Sequence, residues 1–266
     1  MLETFRKAFQ VKDIRNKIAY TFLMLIVIRI GSQLPTPGVN SNYIKEFFAQ
    51  NTGEAFNLFN AFTGGSFEQM SVFALSITPY ITSSIIMQLL TIAIPKLEEM
   101  QKEGEDGRKK IAAITRYLTV GLALFESTAM AVGFGRQGLL VKFNFVNAAI
   151  VVLTLTAGSA FLMWIGERIT EKGVGNGISI VLVINIISRL PEDLTTLFEQ
   201  FVTGQSVPAK AVLAAVVIIA IIVAMVVFVI ILQDAERKIP VQYSKKIQGR
   251  KQVGGQSSHI PLKVNT

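Results

Sequence analysis

The sequence predicts an all-α fold, a polytopic membrane helix bundle of six transmembrane helices with one re-entrant half-helix. Three observations carry that prediction. Ala211–Leu232 is an unbroken run of 22 apolar residues, and about 20 such residues, rising 1.5 Å each, cross a hydrocarbon core about 30 Å thick. A soluble domain rarely holds a helix that is apolar on every face for this length. Composition agrees: 51% of residues are hydrophobic and 17% charged, where a soluble domain has about 25% charged. Finally, the basic residues are sorted by loop, as a chain that crosses a membrane repeatedly requires.

Hydrophobic segments lie near Ile18–Leu34, Val72–Ile94, Tyr117–Phe134, Phe145–Ile165, Gly177–Leu190 and Ala211–Leu232. The second, fourth and sixth are long enough to cross unaided. The first carries Arg29 one turn before its end, from where a long side chain can snorkel to the interface. The fifth is short: Ile178–Leu190 is 13 residues, about 20 Å of helix, which crosses only with little tilt beside protein or a polar cavity. Otherwise it is re-entrant and the count falls to five. After it, Pro191 and the amphipathic EDLTTLFEQF read as a surface helix.

Charge sorting favours six spans. Arg6, Lys7, Lys12, Arg15 and Lys17 precede the first span, and Lys96, Lys102, Arg108, Lys109, Lys110 and Arg116 follow the second. Arg168 and Lys172 follow the fourth, and seven more lie after the sixth, from Arg237 to Lys263. The opposite side holds Lys45, Arg136, Lys142, Arg189 and Lys210. The positive-inside rule then places both ends of this chain in the cytoplasm. Dropping a span scrambles the sorting. The absence of cysteine excludes disulfides, and MLETFRKAFQVKDIRNK is amphipathic and basic without the features of a removable leader.

Between the first two spans the chain runs from Pro35 to Ser71, too long for a simple hairpin. AFNLFNAFTGGSFEQMS has apolar residues at helical spacing, a Gly64–Gly65 break, and then a fresh helix start. Such a discontinuous element is tolerated in lipid only where it is buried in protein or lines a water-filled cavity. The alternative is an amphipathic helix lying on the membrane surface. Span two holds Pro79 among Thr78, Thr82, Ser83 and Ser84, hydroxyls able to receive a carbonyl freed by a kink. Ile81 and Ile85, four apart, share a helix face, a spacing that serves ordinary packing as well as a constriction. Glu126, deep in the third span, is a candidate relay, ion ligand or gate partner, or a plain hydrogen-bonded contact. In GERITEKGVGNGISI the spacing is not that of a nucleotide loop, and Asn176 and Gly177 read as the start of span five. No nucleophile–base pair and no metal-ligand spacing occurs, and His259 is the chain's single histidine. No enzyme activity and no cofactor is expected. The basic tail fits three roles: a topology anchor, a lipid contact, or a cationic loop for an acidic or phosphate-rich partner.

Long motifs then narrow the choice. LPTPGVN, GGSFEQMSVFALSITPYITSSIIMQLL and EGEDGRKKI form one set, and GSAFLMWIGERITEKGVGNGISI and RKIPVQYSKKIQGRKQVGGQSSHIPLKVN another. Together they resemble the bacterial SecY family, the channel-forming subunit of the protein translocase, collinearly over essentially the whole chain. The resemblance implies ten spans in two inverted halves around an hourglass pore, of which this chain supplies spans one to six and stops before span seven. It implies a plug from Asn57 through Leu58, Phe59, Asn60, Ala61, Phe62, Thr63, Gly64, Gly65 and Ser66 to Phe67. It also implies an apolar pore ring of Ile81, Ile85, Leu182 and Ile186, with leucine at 182 where isoleucine is usual. Spans two and three, with Ser83, Ser84, Gln88 and Glu126, would form one side of a lateral gate. Lys245, Lys246, Arg250 and Lys251 would dock the ribosome or the SecA motor.

By the same resemblance, residues 1–17 are a cytoplasmic N-terminus, 18–202 the first half with its plug near 55–68, 203–233 span six, and 234–266 a basic cytoplasmic loop. The implied setting is the bacterial plasma membrane. Implied partners are SecE-like and SecG-like small subunits, SecA, the ribosome, translocating polypeptides and signal sequences, lipid, and a second half with spans seven to ten. Without that half the chain is not expected to conduct. The rival reading is half of a secondary solute transporter with Glu126 as proton-coupling acid.

Overall fold

The computed structural model describes residues 11–40, 43–44, 46–47, 54–203, 208–241, 246–248, 251–253 and 258–264. The chain divides into two units, Met1–Pro191 and Glu192–Thr266.

In the first unit α1 (Lys12–Gln33) is followed by α2 (Glu54–Thr63), α3 (Thr78–Ala93), α4 (Pro95–Lys102), α5 (Glu105–Arg136), α6 (Phe145–Lys172) and the start of α7 (Gly177–Phe198). α5 packs on both α3 and α6, and α6 also on α1. Two apolar clusters fill the space between them. One joins Phe67, Met70, Ala74 and Leu75 to Ala123, Phe134, Val151 and Leu155. The other joins Ile28, Phe73 and Ile77 to Leu162, Ile165, Ile169 and Val181. Glycine permits the closest approaches: a Cβ at Gly31 would strike the Phe73 ring, and one at Gly158 the Val72 carbonyl.

Span two departs from expectation at its start. Residues 72–77 are not helical, and α3 begins only at Thr78. The preceding stretch passes through left-handed backbone at Met70 (φ 44°) and Ser76 (φ 52°). It pairs with the chain leaving α1, where Thr36 N–H donates to the Met70 carbonyl at 2.9 Å and Val72 N–H to the Leu34 carbonyl at 2.9 Å. Pro79 therefore makes no mid-span kink. It sits in the first turn of α3, where a missing N–H costs nothing. Arg29 on α1 is half-buried, with its Nη1 shielded.

Among the described residues, α5, α6 and α8 (Pro208–Asp234) are long and apolar enough to cross a membrane, and α3 with α4 adds a fourth as a pair bent by 101°. α1 and α7 lie outside that set. α7 does not break at Pro191 but runs on to Phe198, followed by a π-helical turn at Glu199–Thr203.

In the second unit α8 buries none of its apolar window. The tail, read from sequence as a basic loop, contains short strands. β1 (Glu236–Val241) pairs antiparallel with β4 (Ser258–Lys263), and β2 (Lys246–Gln248) with β3 (Lys251–Val253). Ile239 opposes Ile260 in the first ladder.

Candidate functional site

The sequence break at Gly64–Gly65 is a real break. α2 ends at Thr63, and both glycines adopt left-handed backbone, φ 65° and 82°. Gly64 also lies so near α7 that an added Cβ would stand 2.7 Å from the Asn185 carbonyl. Beyond the break the chain folds back on α2. Glu68 N–H donates to Asn60 Oδ1 at 3.2 Å, Asn60 Nδ2 returns a bond to Glu68 Oε2 at 2.6 Å, and Phe67 meets Phe59 edge-on at 4.8 Å. Phe67 and Ser66 are buried. The glycine end is thus held inside protein and does not lie on a surface, while Leu58 and Phe62, four apart, leave an apolar face of α2 exposed.

A cleft of about 730 Å³ opens between α3 and the start of α7. Its walls are apolar at Ile81, Ile85 and Ile178 and polar at Arg116, Glu167, Thr170, Glu171 and Asn176. Local chemistry builds the polar rim. Asn176 Oδ1 accepts from the N–H groups of Ile178 and Ser179, capping α7, and Gly177 N–H donates to Thr170 Oγ1 at 2.8 Å. Arg116 Nε donates to Glu167 Oε1 at 2.7 Å, tying α5 to α6. That bond pushes the Arg116 guanidinium further up, against the opposing effect of burial.

The four residues expected in a pore ring divide. Ile81 and Ile85 line the cleft, and Leu182 and Ile186 lie outside its lining. Ile81 packs against the cluster of Ile77 and Val181, whereas Ile85 is 52% and Ile186 37% exposed. Val181 and Asn185 turn into the bundle, leaving Ile186 and Ile187 outward.

Of the residues expected at a gate, Ser83 is fully buried. Its Oγ donates to the Pro79 carbonyl at 3.1 Å and shares a 2.7 Å hydrogen bond with Thr119 Oγ1, fastening α3 to α5. Ser84 and Gln88 face a second cleft of about 360 Å³ that also contains Arg108 and Gln101. Glu126 is half-buried on α5. In the tail, Lys246 and Lys251 stand on β2 and β3, while Lys245 and Arg250 lie outside the described residues.

Sequence reading missed four residues that position this region: Ser76, Glu68, Asn185 and Arg189. Arg189 Nη1 meets Glu68 Oε2 at 3.1 Å, and Asn185 Nδ2 donates to Ser76 Oγ at 3.1 Å. The available signal was one acid between the first two apolar segments and one base near the end of the fifth, more than a hundred residues apart in sequence.

Comparison with known proteins supplies a family. The SecY family profile matches residues 71–266. The protein translocase subunit SecY of Pseudomonas aeruginosa is 45% identical over 255 residues, covering 96% of this chain and 57% of the relative. That of Halalkalibacterium halodurans is 45% identical over 270 residues, 100% of this chain and 62% of the relative. That of Bacillus subtilis is 44% identical with the same coverage, 100% and 62%. The chain thus spans about three-fifths of these relatives' length. Among solved structures, that of a protein-conducting channel aligns with TM-score 0.57 at 19% identity, over 95% of this chain and 54% of the other. Sec61 in the canine ribosome–channel complex aligns with TM-score 0.56 at 18% identity, over 87% and 51%. The profile match, the relatives and the shared fold agree: this chain is a member of the SecY family.

Proposed function

We propose that the chain is the pore-forming part of a channel that exports unfolded polypeptides across the plasma membrane and releases apolar segments sideways into it. The observation that carries this reading is the placement of Ile81 and Ile85 in the lining of the cleft between α3 and the start of α7. A dry ring of branched aliphatic side chains excludes ions without selecting among the side chains of its cargo. Leu182 and Ile186 join that ring when the further length of the relatives supplies the facing wall. α2 with Gly64–Phe67 is the plug, and its exposed Leu58 and Phe62 meet that wall. The Ser83–Thr119 bond makes spans two and three one rigid gate edge, and Ser84, Gln88 and Glu126 complete it.

Six spans with both ends cytoplasmic follow from the basic residues, with α1 and α7 as crossings. The domain limits expected from sequence stand within this reading. The ribosome in the Sec61 complex supports a docking role for the basic tail, with Lys245, Lys246, Arg250 and Lys251 as contacts for ribosome or SecA. SecE-like and SecG-like subunits complete the assembly.

The test places a photoreactive amino acid at position 85 in a channel completed to the relatives' full length and stalls a polypeptide in transit. Crosslinks at 85, with none at the exposed controls Phe125 and Leu153, support the reading. Equal labelling at all three contradicts it.

A further inference from the structure

We propose that the broken helix is latched to α7 of its own half by the Glu68–Arg189 ion pair, so that withdrawing the opposite half of the channel does not by itself release it. The inference rests on reading α2 and the segment after it as the plug.

Glu68 lies past the Gly64–Gly65 break yet belongs mechanically to α2. Its N–H and its carboxylate both bond the Asn60 side chain, at 3.2 and 2.6 Å, so helix and returning chain move as one body. The same Oε2 takes Arg189 Nη1 at 3.1 Å. The two side chains are 37% and 19% exposed, shielded enough for charge-assisted bonding to exceed that of an exposed surface pair. One turn earlier on α7, the Asn185 backbone is pressed against Gly64 and its side chain is held by Ser76. Glu68 and Ser76 are thus tied to α7 by directional bonds, to Arg189 and Asn185.

The exposed face of α2, by contrast, is apolar at Leu58 and Phe62. An apolar face adheres without direction and separates without leaving a charge unpaired. Parting α2 from Arg189 breaks a charge-assisted bond, which is the costlier step. The order of events is fixed accordingly: the apolar face parts first and the latch last. Arg189 is a positioning residue that acts through Glu68.

The test uses this chain alone, reconstituted in lipid nanodiscs, and reads hydrogen exchange of backbone amides over residues 54–67. Glu68→Gln and Arg189→Gln should each speed exchange there about tenfold, the effect of losing one charge-assisted bond. The swap Glu68→Arg with Arg189→Glu should recover most of the protection. Exchange of α6 amides serves as the folding control. Should a Gln variant lose α6 protection, Arg189→Lys decides, because it keeps the charge and must protect residues 54–67 better than Arg189→Gln.

Single variants that exchange like the parent overturn the proposal. So does a swap no better than the singles, or a Lys variant as unprotected as the Gln one with α6 intact. No conductance enters the readout, so a failed latch leaves the channel reading standing, and a failed channel leaves the latch measurable.

Discussion

Asn185 and Ser76 meet through a buried hydrogen bond of 3.1 Å that joins the middle of α7 to the left-handed residue preceding α3. The bond sets the spacing of the two helices that flank the cleft. It also presents the Asn185 backbone to Gly64 of the broken helix. Replacing Ser76 by Ala leaves a buried amide donor unpaired, a loss of about 1–3 kcal/mol. Asn185→Leu removes the donor but strands the hydroxyl. Both variants should melt below the parent in detergent, with Ser76→Ala and Asn185→Leu non-additive in a double-mutant cycle.

The Ser83–Thr119 pair predicts a similar coupling between spans two and three. Each hydroxyl also lies within bonding distance of a carbonyl of its own helix, Pro79 and Thr115, at 3.1 and 2.7 Å, and whichever donates across the pair gives up its own carbonyl. Ser83→Ala and Thr119→Val should therefore each cost only about 1 kcal/mol, with a coupling of about 0.5–1 kcal/mol between them. Strict additivity in unfolding measurements would show that the two helices are held by apolar packing alone.

Glycine at position 64 is required twice, by its φ of 65° and by the Asn185 carbonyl. Gly64→Ala should destabilise by about 2 kcal/mol or more, combining left-handed strain with a displaced backbone. Gly121 is the matched control. A Cβ there meets nothing within 4 Å, and Gly121→Ala within α5 should stabilise by about 0.5–1 kcal/mol. Thermal unfolding of the two variants in one detergent checks the opposite signs.

The Arg116–Glu167 pair at the cleft rim should be insensitive to pH in the physiological range. Its Arg116 pKa is raised, first by the Glu167 hydrogen bond. A raised basic group contributes stability that is complete below its unfolded pKa and is lost only as pH climbs through the folded one. For a guanidinium that window lies far above the physiological range. Stability attributable to the pair should be flat from about pH 6 to 9 and worth no more than about 1 kcal/mol, since both ends reach solvent. Salt titration of Arg116→Gln against the parent measures the difference.

Much of the architecture was readable because lipid punishes ambiguity. Ala211–Leu232 could be nothing but a span, and Gly64–Gly65 could only interrupt a helix. Asn176 announced the start of α7 by its capping chemistry. The entry to α3 was hidden, because Val72–Ile77 is apolar but for Ser76 and hydropathy cannot separate a buried turn from a buried helix. The turn is chosen by tertiary bonds, those of Thr36 and Val72 to neighbouring carbonyls, which no local pattern encodes. Pro191 lies within α7, which tolerates the missing donor. Glu68 and Arg189 are 121 positions apart, so only the folded chain shows them as a pair. In the tail, alternation is too short between basic residues to reveal ladders of three to six residues.

The most direct test of the account concerns Ile81 and Ile85. In a channel completed to full length and held in a planar bilayer, Ile81→Ser with Ile85→Ser should raise resting ion conductance several-fold, because hydroxyls wet the constriction. Conductance equal to the parent's, in a channel that still moves polypeptide, would contradict the account and remove these two residues from the barrier.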